Sequence, residues 1–341
     1  MIPVFIDRQK NDTNERGNFF LAHCVAKECE MNYTVDAVIP VYRPGTEFRE
    51  LLKRLSTQSH RLNRIILMNT GEAPWQEEIE QEFPQCEVHL LRKEDFDHGG
   101  TRHAATGFSQ AEYLLFMTQD ALPENEFLVE NLLQSFLTDQ EIKAAYARQL
   151  PNSTCREIEK YTRSFNYPEK SRVKSKEDLE TLGIKTFFCS NVCAMYERKT
   201  YDLQGGFVRK TIFNEDMIYA GGLIRQDYKI AYVAEARVIH SHNYNAVEQF
   251  HRNFDLAVSQ VDHPEVFSGI RSEKEGIRLV LQTAKHLCRV KKPWLLFPLV
   301  TTSAGKLLGY KLGQNYHRLS EDFRLKCTMN QSYWRNPNEK N

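Results

Sequence analysis

Short apolar runs alternate with amphipathic segments over residues 35–150, and this alternation predicts strands that alternate with helices. Five apolar runs read as buried strands, at 35–42, 64–68, 88–91, 113–117 and 144–148. The segments between them carry apolar residues at helical spacing, such as Phe48, Leu51, Leu52 and Leu55. The pattern therefore predicts an α/β fold, with a mostly parallel sheet and helices on both of its faces.

The pattern continues less regularly beyond residue 150. It predicts strands at 187–196, 228–233 and 238–240, helices at 214–225 and 245–261, and a helical C-terminal tail. Residues 1–33 show no clear period. We therefore divide the chain into an N-terminal extension (1–33), an α/β domain that carries the chemistry (34–268) and the tail (269–341).

The charge of the chain is balanced overall but not along its length. Lys and Arg number 45, as do Asp and Glu, so the composition excludes a globally basic nucleic-acid binder. Residues 271–341 nevertheless hold 14 basic and 5 acidic residues, and residues 276–320 hold eight basic residues and no acidic one. Such a basic tail needs an anionic neighbour or a solvated face.

The tail is interpreted as a membrane-surface element. Its longest charge-free apolar stretch, residues 293–305, falls short of the roughly 20 residues that span a bilayer, and the N-terminal sequence does not resemble a signal peptide. Apolar residues interleaved with cations are typical of a helix that lies in the membrane interface. The same apolar residues can instead pack on the α/β domain or form a homodimer contact.

The eight scattered cysteines predict reduced, mostly buried thiols, and favour buried thiols over a metal pair at Cys189 and Cys193. We therefore expect a cytoplasmic protein, peripheral on the inner face of the membrane.

Polar residues follow the predicted strands at the points where each strand ends. Tyr42 ends the first, Asn69-Thr70-Gly71 the second, Asp95-Phe96-Asp97-His98 follows the third and Gln119-Asp120 the fourth. In open α/β sheets, ligands bind beyond the carboxyl ends of the strands, so we expect these segments to converge in space.

Four groups of polar residues could carry chemistry. Asp120 could hold a divalent cation or simply cap a turn, and the glycines that follow His98, with Arg102, could hold phosphate or only form a tight turn. Asp216, in Asn214-Glu215-Asp216, could be a general base or a helix cap. His240-Ser241-His242 could contact a metal or phosphate, or be structural.

The ordered set of these motifs resembles the bacterial family 2 glycosyltransferases, and among them the rhamnosyltransferases of O-antigen and cell-wall polysaccharide assembly. The matching segments are Val38-Ile39-Pro40-Val41-Tyr42, Asn69-Thr70-Gly71, Phe96-Asp97-His98-Gly99-Gly100-Thr101-Arg102, Thr118-Gln119-Asp120-Ala121, Asn214-Glu215-Asp216 and His240-Ser241-His242-Asn243-Tyr244. The resemblance covers about residues 35–260 and, more loosely, the tail.

The resemblance implies a GT-A fold and an inverting transfer of a sugar, L-rhamnose from dTDP-L-rhamnose, to a saccharide acceptor that is lipid-linked. It makes Asp216 the catalytic base, and Asp120 with His242 the ligands of Mg²⁺ or Mn²⁺. Arg102 is expected to help stabilise the leaving diphosphate. The positions it assigns to the nucleotide-sugar donor are Pro40, Tyr42, Asn69, Gly71, His98, Gly99, Arg102, Gln119 and Asp120.

Two other functions remain open at this stage. A nucleotidyltransferase shares this kind of sheet, but Pro40-Val41-Tyr42-Arg43-Pro44-Gly45 is a poor cradle for a triphosphate. A non-catalytic partner subunit would keep the fold and lose the base, whereas Asp216 is present.

Overall fold

The computed structural model of the chain describes residues 33–71, 78–269 and 273–335. The predicted N-terminal extension lies outside the described residues, apart from Tyr33. Within the described part, one sheet contains β1 (Val35–Val41), β2 (Arg64–Thr70), β3 (Cys86–Leu91), β4 (Tyr113–Met117), β5 (Leu122–Pro123), β6 (Ile142–Leu150), β7 (Arg172–Lys174), β8 (Cys193–Glu197) and β9 (Lys229–Ile239).

The α-helices of the described residues fall between and after these strands. They are α1 (Glu47–Ser56), α2 (Glu78–Glu82), α3 (His98–Ala105), α4 (Leu128–Thr138), α5 (Glu157–Asn166), α6 (Leu179–Leu182), α7 (Arg198–Leu203), α8 (Glu215–Arg225), α9 (Ala246–Asp262), α10 (Pro264–Phe267), α11 (Glu273–Arg289), α12 (Leu296–Gln314), α13 (Glu321–Cys327) and α14 (Gln331–Arg335). Short 3₁₀ segments add Lys93–Asp95, Thr106–Phe108, Lys176–Asp178, Gly183–Phe187, Pro293–Leu295 and Tyr316–Arg318.

The strand order is β3-β2-β1-β4-β8-β6-β9-β5, and β7 also pairs with β9. Strands β3, β2, β1 and β4 are parallel to one another, as are β6 and β9, whereas β8 runs antiparallel between β4 and β6. The carboxyl ends of β1, β2, β4, β6 and β9 therefore meet at one edge of the sheet. Because β8 runs the other way, its amino end and the loop before it also reach that edge.

The predicted fold class is confirmed. All side chains of β4 are buried, as are all but one in β1, and successive side chains of a strand point to opposite faces. Both faces of the sheet are therefore covered, as the apolar runs predicted.

Three predicted strands differ from the observed ones. The segment 187–196 forms a strand only from Cys193, because residues 188–192 form a loop that crosses the sheet edge. The predicted strands at 228–233 and 238–240 are one strand, β9, whose register against β6 shifts between Ala147 and Arg148. The pairing passes from Val233 to Arg237 at this point, so residues 234–236 form an irregularity inside one continuous strand.

The helical character of the basic tail is confirmed, and its long helix α12 packs along α9. Three glycines on α12, spaced four residues apart, lie against backbone carbonyls of α9. A Cβ atom at Gly305 would lie 2.3 Å from the carbonyl oxygen of Ala246, and one at Gly309 would lie 2.1 Å from that of Phe250. Gly313 meets Phe254 in the same way, so the two helices run parallel at close range.

The end of the tail packs against the C-terminal half of α9. The Asp255 carboxylate accepts hydrogen bonds from the Thr328 hydroxyl (2.6 Å) and the Met329 N–H (2.9 Å). Tyr316 and Trp334 join a buried cluster with Phe254. The boundary at residue 268 stays a prediction.

The thiols of the described residues follow the prediction in large part. Free and buried are Cys86, Cys155, Cys189, Cys193 and Cys327, whereas Cys288 is exposed. None of the described helices combines the length and the apolarity that crossing a bilayer requires.

Candidate active site at the carboxyl edge of the sheet

Tyr42 and Gln119 join the ends of β1 and β4. The Gln119 side chain accepts a hydrogen bond from the Tyr42 N–H (2.8 Å) and donates one to the Tyr42 carbonyl (3.0 Å). Gly71 lies below the Tyr42 ring, and Asn69 is buried beside it at the end of β2. Tyr42 is 39% exposed, so it offers an aromatic surface at this edge on which a nucleoside could stack.

Pro40 lies one residue inside β1, opposite Met68 of β2, and is half-buried. It therefore lies in the strand itself and not in the loop that carries Tyr42.

The glycine-rich start of α3 has a structural cause that the sequence did not indicate. Asp97 caps the helix by accepting a hydrogen bond from the Gly100 N–H. A Cβ atom at Gly99 would lie 2.0 Å from the carbonyl oxygen of Val208, so glycine is needed there for packing. The neighbouring His98 is half-buried, and burial lowers its pKa, which favours the neutral imidazole.

Arg102 is buried within the protein instead of lining the surface of this edge. Its guanidinium lies 3.2 Å from the Glu215 carboxylate and donates a hydrogen bond to the His98 carbonyl (3.0 Å). Burial would raise the pKa of Glu215, but the charge of Arg102 leads the contacts that outweigh it and lower that pKa. Glu215 is therefore an ionised carboxylate held inside the protein.

Asn191, in the loop before β8, ties the two adjacent carboxylates to the sheet. Its side chain donates to Glu215 (3.1 Å), and its backbone N–H donates to Asp216 (3.0 Å). The Tyr196 hydroxyl donates to the Asn191 side chain (2.9 Å), and Tyr196 belongs to the buried aromatic cluster beneath. The position of Asp216 is thus fixed by the core and not by the helix cap alone.

Asp216 has the properties of a general base. It is half-buried at the first turn of α8, and its second oxygen accepts from the Met217 N–H (2.8 Å). Burial and the adjacent Glu215 charge raise the pKa of Asp216 to about 7. A carboxylate with such a pKa can take a proton near neutral pH, where an ordinary carboxylate is too weak a base.

A second group of side chains at this edge, which we call the Asp/His cluster, consists of Asp120, His240 and His242. The Asp120 carboxylate lies 3.5 Å from Nε2 of His240 and 3.2 Å from Nε2 of His242, and the three ligand atoms lie within 4.8 Å of one another. One carboxylate oxygen and two imidazole nitrogens suit a divalent transition metal such as Mn²⁺ better than Mg²⁺, which prefers oxygen.

The surroundings of His240 also fit a metal ligand. Its Nδ1 lies 3.1 Å from the Gln149 side-chain oxygen, which leaves Nε2 free for an ion. Burial lowers the pKa of His240, so the ring is neutral, as a ligand must be. Arg163 holds Gln149 in turn through a hydrogen bond to the same oxygen.

The structure places Gln119 on Tyr42 and Asp120 beside His242, and it adds Asn191 and Gln149, which the sequence did not single out. His240 joins His242 beside Asp120; the sequence offered both imidazoles as possible metal contacts, whereas the resemblance assigned only His242 as a ligand. Asn191 and Gln149 carried no visible signal, since each acts on another side chain far away in sequence.

Comparison with known proteins identifies relatives across nearly the whole chain. The family model of glycosyl transferase family 2 matches residues 36–203. The O-antigen chain rhamnosyltransferase RfbN of Salmonella typhimurium is 36% identical over 306 residues, which is 89% of this chain and 96% of the relative. The O-antigen chain rhamnosyltransferase WbaN of Salmonella anatum is 34% identical, over 88% of this chain and 95% of the relative.

Solved structures give more distant matches. The mannosyltransferase PcManGT of Pyrobaculum calidifontis, solved with GDP-Man and Mn²⁺, is 15% identical with a TM-score of 0.49, over 94% of this chain and 92% of that one. TarS of S. aureus, residues 1–349 with UDP-GlcNAc, is 13% identical with a TM-score of 0.48, over 84% and 91%.

Proposed function

The chain belongs to glycosyl transferase family 2 and is a glycosyltransferase, and from this premise we propose that it transfers L-rhamnose from dTDP-L-rhamnose, with inversion, to a hydroxyl of a lipid-linked saccharide. The observation that carries the proposal is Asp216, a carboxylate at the ligand edge whose pKa is raised to about 7. A single displacement needs one such base and a stabilised leaving group.

In this mechanism Asp216 accepts the proton of an acceptor hydroxyl, and the oxygen of that hydroxyl attacks the anomeric carbon of the donor sugar. The bond to the nucleoside diphosphate breaks at the same time, so the configuration at that carbon inverts. Asp120, His240 and His242 would hold a divalent cation, which supplies charge neutralisation for the leaving diphosphate. His98 and Gly99 face the diphosphate and sugar of the donor in this proposal.

The nucleoside end of the donor is assigned to the edge formed by β1 and β2. The partly exposed Tyr42 ring offers a stacking surface beside Gly71, and Asn69 lies at the same strand end. Gln119 holds Tyr42 in place through two hydrogen bonds, and Pro40 lies two residues earlier, within β1.

The role proposed for Arg102 changes with its position. Because its guanidinium is paired with Glu215, we assign it to holding that carboxylate next to the base, and not to contacting the diphosphate.

A hydrolysis screen across nucleotide sugars tests the function directly. The protein is incubated with each donor, with Mn²⁺, with Mg²⁺ or with chelator, and the released nucleoside diphosphate is measured. We expect dTDP-L-rhamnose to be preferred and release to depend on metal. In the presence of a saccharide acceptor, NMR of the product should show the anomeric configuration opposite to that of the donor. Preference for another donor, or retained configuration, would contradict the proposal.

The acidity of Asp216 predicts the pH dependence of transfer. Because only the ionised carboxylate can accept a proton, kcat/KM should fall about tenfold per pH unit below 7 and level off above it. Glu215→Gln removes the neighbouring charge that raises the Asp216 pKa, so it should shift this inflection to lower pH. The affinity for dTDP is measured over the same range as a control for metal-ligand titration. An inflection that is unmoved in Glu215→Gln would argue against Asp216 as its source.

We further propose that the tail holds the protein on the inner surface of the cytoplasmic membrane, where a lipid-linked acceptor is presented. One face of α12 is apolar and exposed, with Phe297 at 77% and Val300 at 62%, and Leu307 and Leu308 lie on the same face. Trp294 is exposed just before the helix. The opposite face packs on α9, so packing and membrane contact use different sides of one helix.

Vesicle co-sedimentation with matched variants tests this surface. Phe297→Asp should lower pelleting on anionic vesicles roughly tenfold, because it removes a large apolar side chain from the interface. Leu203→Asp, at an equally exposed apolar residue of α7, should pellet like the wild type. Pelleting of the wild type should weaken with salt. Equal pelleting of the two variants would contradict the proposal, and a dimer in gel filtration that Phe297→Asp abolishes would assign the face to self-association.

A further inference from the structure

Two basic side chains from different helices lie beside the candidate active site and take no part in the mechanism described above. Arg252 belongs to α9 and Lys306 belongs to α12, the long helix of the tail. Each is only partly exposed.

Arg252 stacks on aromatic rings that belong to both parts of the site, the segment before the base Asp216 and the segment after the Asp/His cluster. Its guanidinium carbon lies 4.6 Å from the centroid of the Phe213 ring and 5.5 Å from that of Tyr244. Phe213 comes three residues before the base Asp216, and the Tyr244 ring lies 5.2 Å from the ring of His242. Arg252 is therefore held between the segment that carries the base and the segment that carries the Asp/His cluster.

The guanidinium is held by ring faces and not by a carboxylate. Within the described part of the chain, no acidic group forms an ion pair with Arg252. Stacking on rings leaves the N–H donors at the edge of the guanidinium available to an anion.

Lys306 reaches the same region from the tail. It lies nine residues after Phe297, which is about two and a half helical turns, so it points away from the exposed apolar face and toward the protein. It follows Gly305, which contacts the Ala246 carbonyl at the start of α9. Burial lowers the pKa of Lys306; Glu159 offsets this effect in part, and the charge of Arg252 adds to it.

The nearby acidic group does not neutralise Lys306. The Glu159 carboxylate is paired with Arg163 at 2.7 Å, and among the described residues no ion pair or hydrogen bond holds the Lys306 ammonium. Arg252 on α9 and Lys306 on the helix that packs along α9 are therefore partly buried cations without a counter-ion among the described residues, an arrangement that an anionic ligand would stabilise.

We propose that Arg252 and Lys306 form a subsite for a diphosphate group, so that the tail helix completes the active site. The inference rests on the proposed glycosyl transfer and deepens it. The same chemistry is offered by the nucleoside diphosphate of the donor and by the diphosphate of a lipid-linked acceptor. Two cations and the divalent ion at Asp120 would share the charge of such a group.

Calorimetric titration of the full-length protein with inorganic diphosphate and with dTDP, each with Mn²⁺, tests the subsite. The variants are Arg252→Gln and Lys306→Gln, and the control is Lys326→Gln, which removes one exposed charge from α13 of the same C-terminal region. Each subsite variant should bind inorganic diphosphate about tenfold more weakly, as expected when one charged contact to an anion is lost. The control should bind like the wild type.

A second measurement separates the two sources of diphosphate. KM is determined for a soluble saccharide acceptor with a diphosphate and for the same saccharide without it. Weaker dTDP binding in both variants assigns the subsite to the donor. Unchanged dTDP binding with a higher KM for the diphosphate acceptor alone assigns it to the acceptor. Unchanged affinity for inorganic diphosphate in both variants would overturn the proposal.

The test remains decisive if one variant does not fold. Lys306→Gln changes a different helix from Arg252→Gln, and Arg252→Lys keeps the charge while it removes the planar donor fork. Failure of the glycosyl-transfer proposal would show differently, as a wild-type protein that binds diphosphate but releases no nucleotide from any sugar donor.

Discussion

Asp216→Asn should abolish glycosyl transfer while it leaves donor binding nearly intact. The amide cannot accept the proton of the acceptor hydroxyl, and loss of a general base lowers rates on the order of 10²–10⁴-fold. The substitution is nearly isosteric, and the amide oxygen can still accept one of the two N–H groups, that of Asn191 or that of Met217, which bond to different oxygens of the carboxylate. The fold and the donor site should therefore persist. The measurements are kcat with saturating acceptor and the dissociation constant of dTDP.

A matched control lies just beyond the same helix. Asp227→Asn removes an exposed carboxylate that pairs with Lys176 after the end of α8, and it should leave kcat unchanged. If Asp216→Asn turns over within a few-fold of the control, the base is another residue.

Asp120→Ala should remove most of the metal-dependent affinity for the nucleoside diphosphate. Asp120 supplies the only carboxylate of the Asp/His cluster, and without it two imidazoles remain to hold the ion. We expect Mn²⁺ affinity to fall at least 10–100-fold. A loss of this size is typical even when the residue removed only hydrogen-bonds to a metal ligand and orients it. Mn²⁺ binding is measured directly by calorimetry, and dTDP binding is measured with Mn²⁺ and with chelator.

The comparison with chelator makes this prediction specific. In chelator, Asp120→Ala and the wild type should bind dTDP alike, since neither holds a metal. Equal affinity in the presence of Mn²⁺ as well would show that Asp120 is a turn residue. His240→Ala should weaken Mn²⁺ binding in the same direction, although the resemblance assigned only His242 as an imidazole ligand.

The positions of the strand ends could be predicted because they depend on local pattern. A buried parallel strand is an apolar run, and the polar residue after it must lie at the ligand edge, which is how Tyr42, Gln119 and Asp120 were found. The role of Asp216 came from the family motif, since an acidic pair at a helix start is more often only a cap.

The remaining features depend on contacts that a single sequence does not encode locally. Asn191 acts on Asp216 only because β8 runs antiparallel, which brings its amino end to the ligand edge. Arg102 reads as a phosphate ligand until its pairing with Glu215 is seen. Gly305 and its neighbours read as residues of an ordinary apolar helix, because the carbonyls that require glycine lie on α9, some 60 residues earlier.

The close parallel contact between α9 and α12 has a consequence for how the enzyme would be oriented. Helix α9 begins just after His242, and α12 is 19 residues or about 28 Å long, so the two cannot tilt independently. If the Phe297 face of α12 rests on lipid, α9 lies one interhelical distance above α12, about 8 Å, the short end of the usual range because glycines form the contact. The height of the Asp/His cluster over the bilayer is then set by the glycine contact, and with it which sugar along a lipid-linked chain can reach Asp216. A larger residue at Gly309 would change that reach as well as the packing.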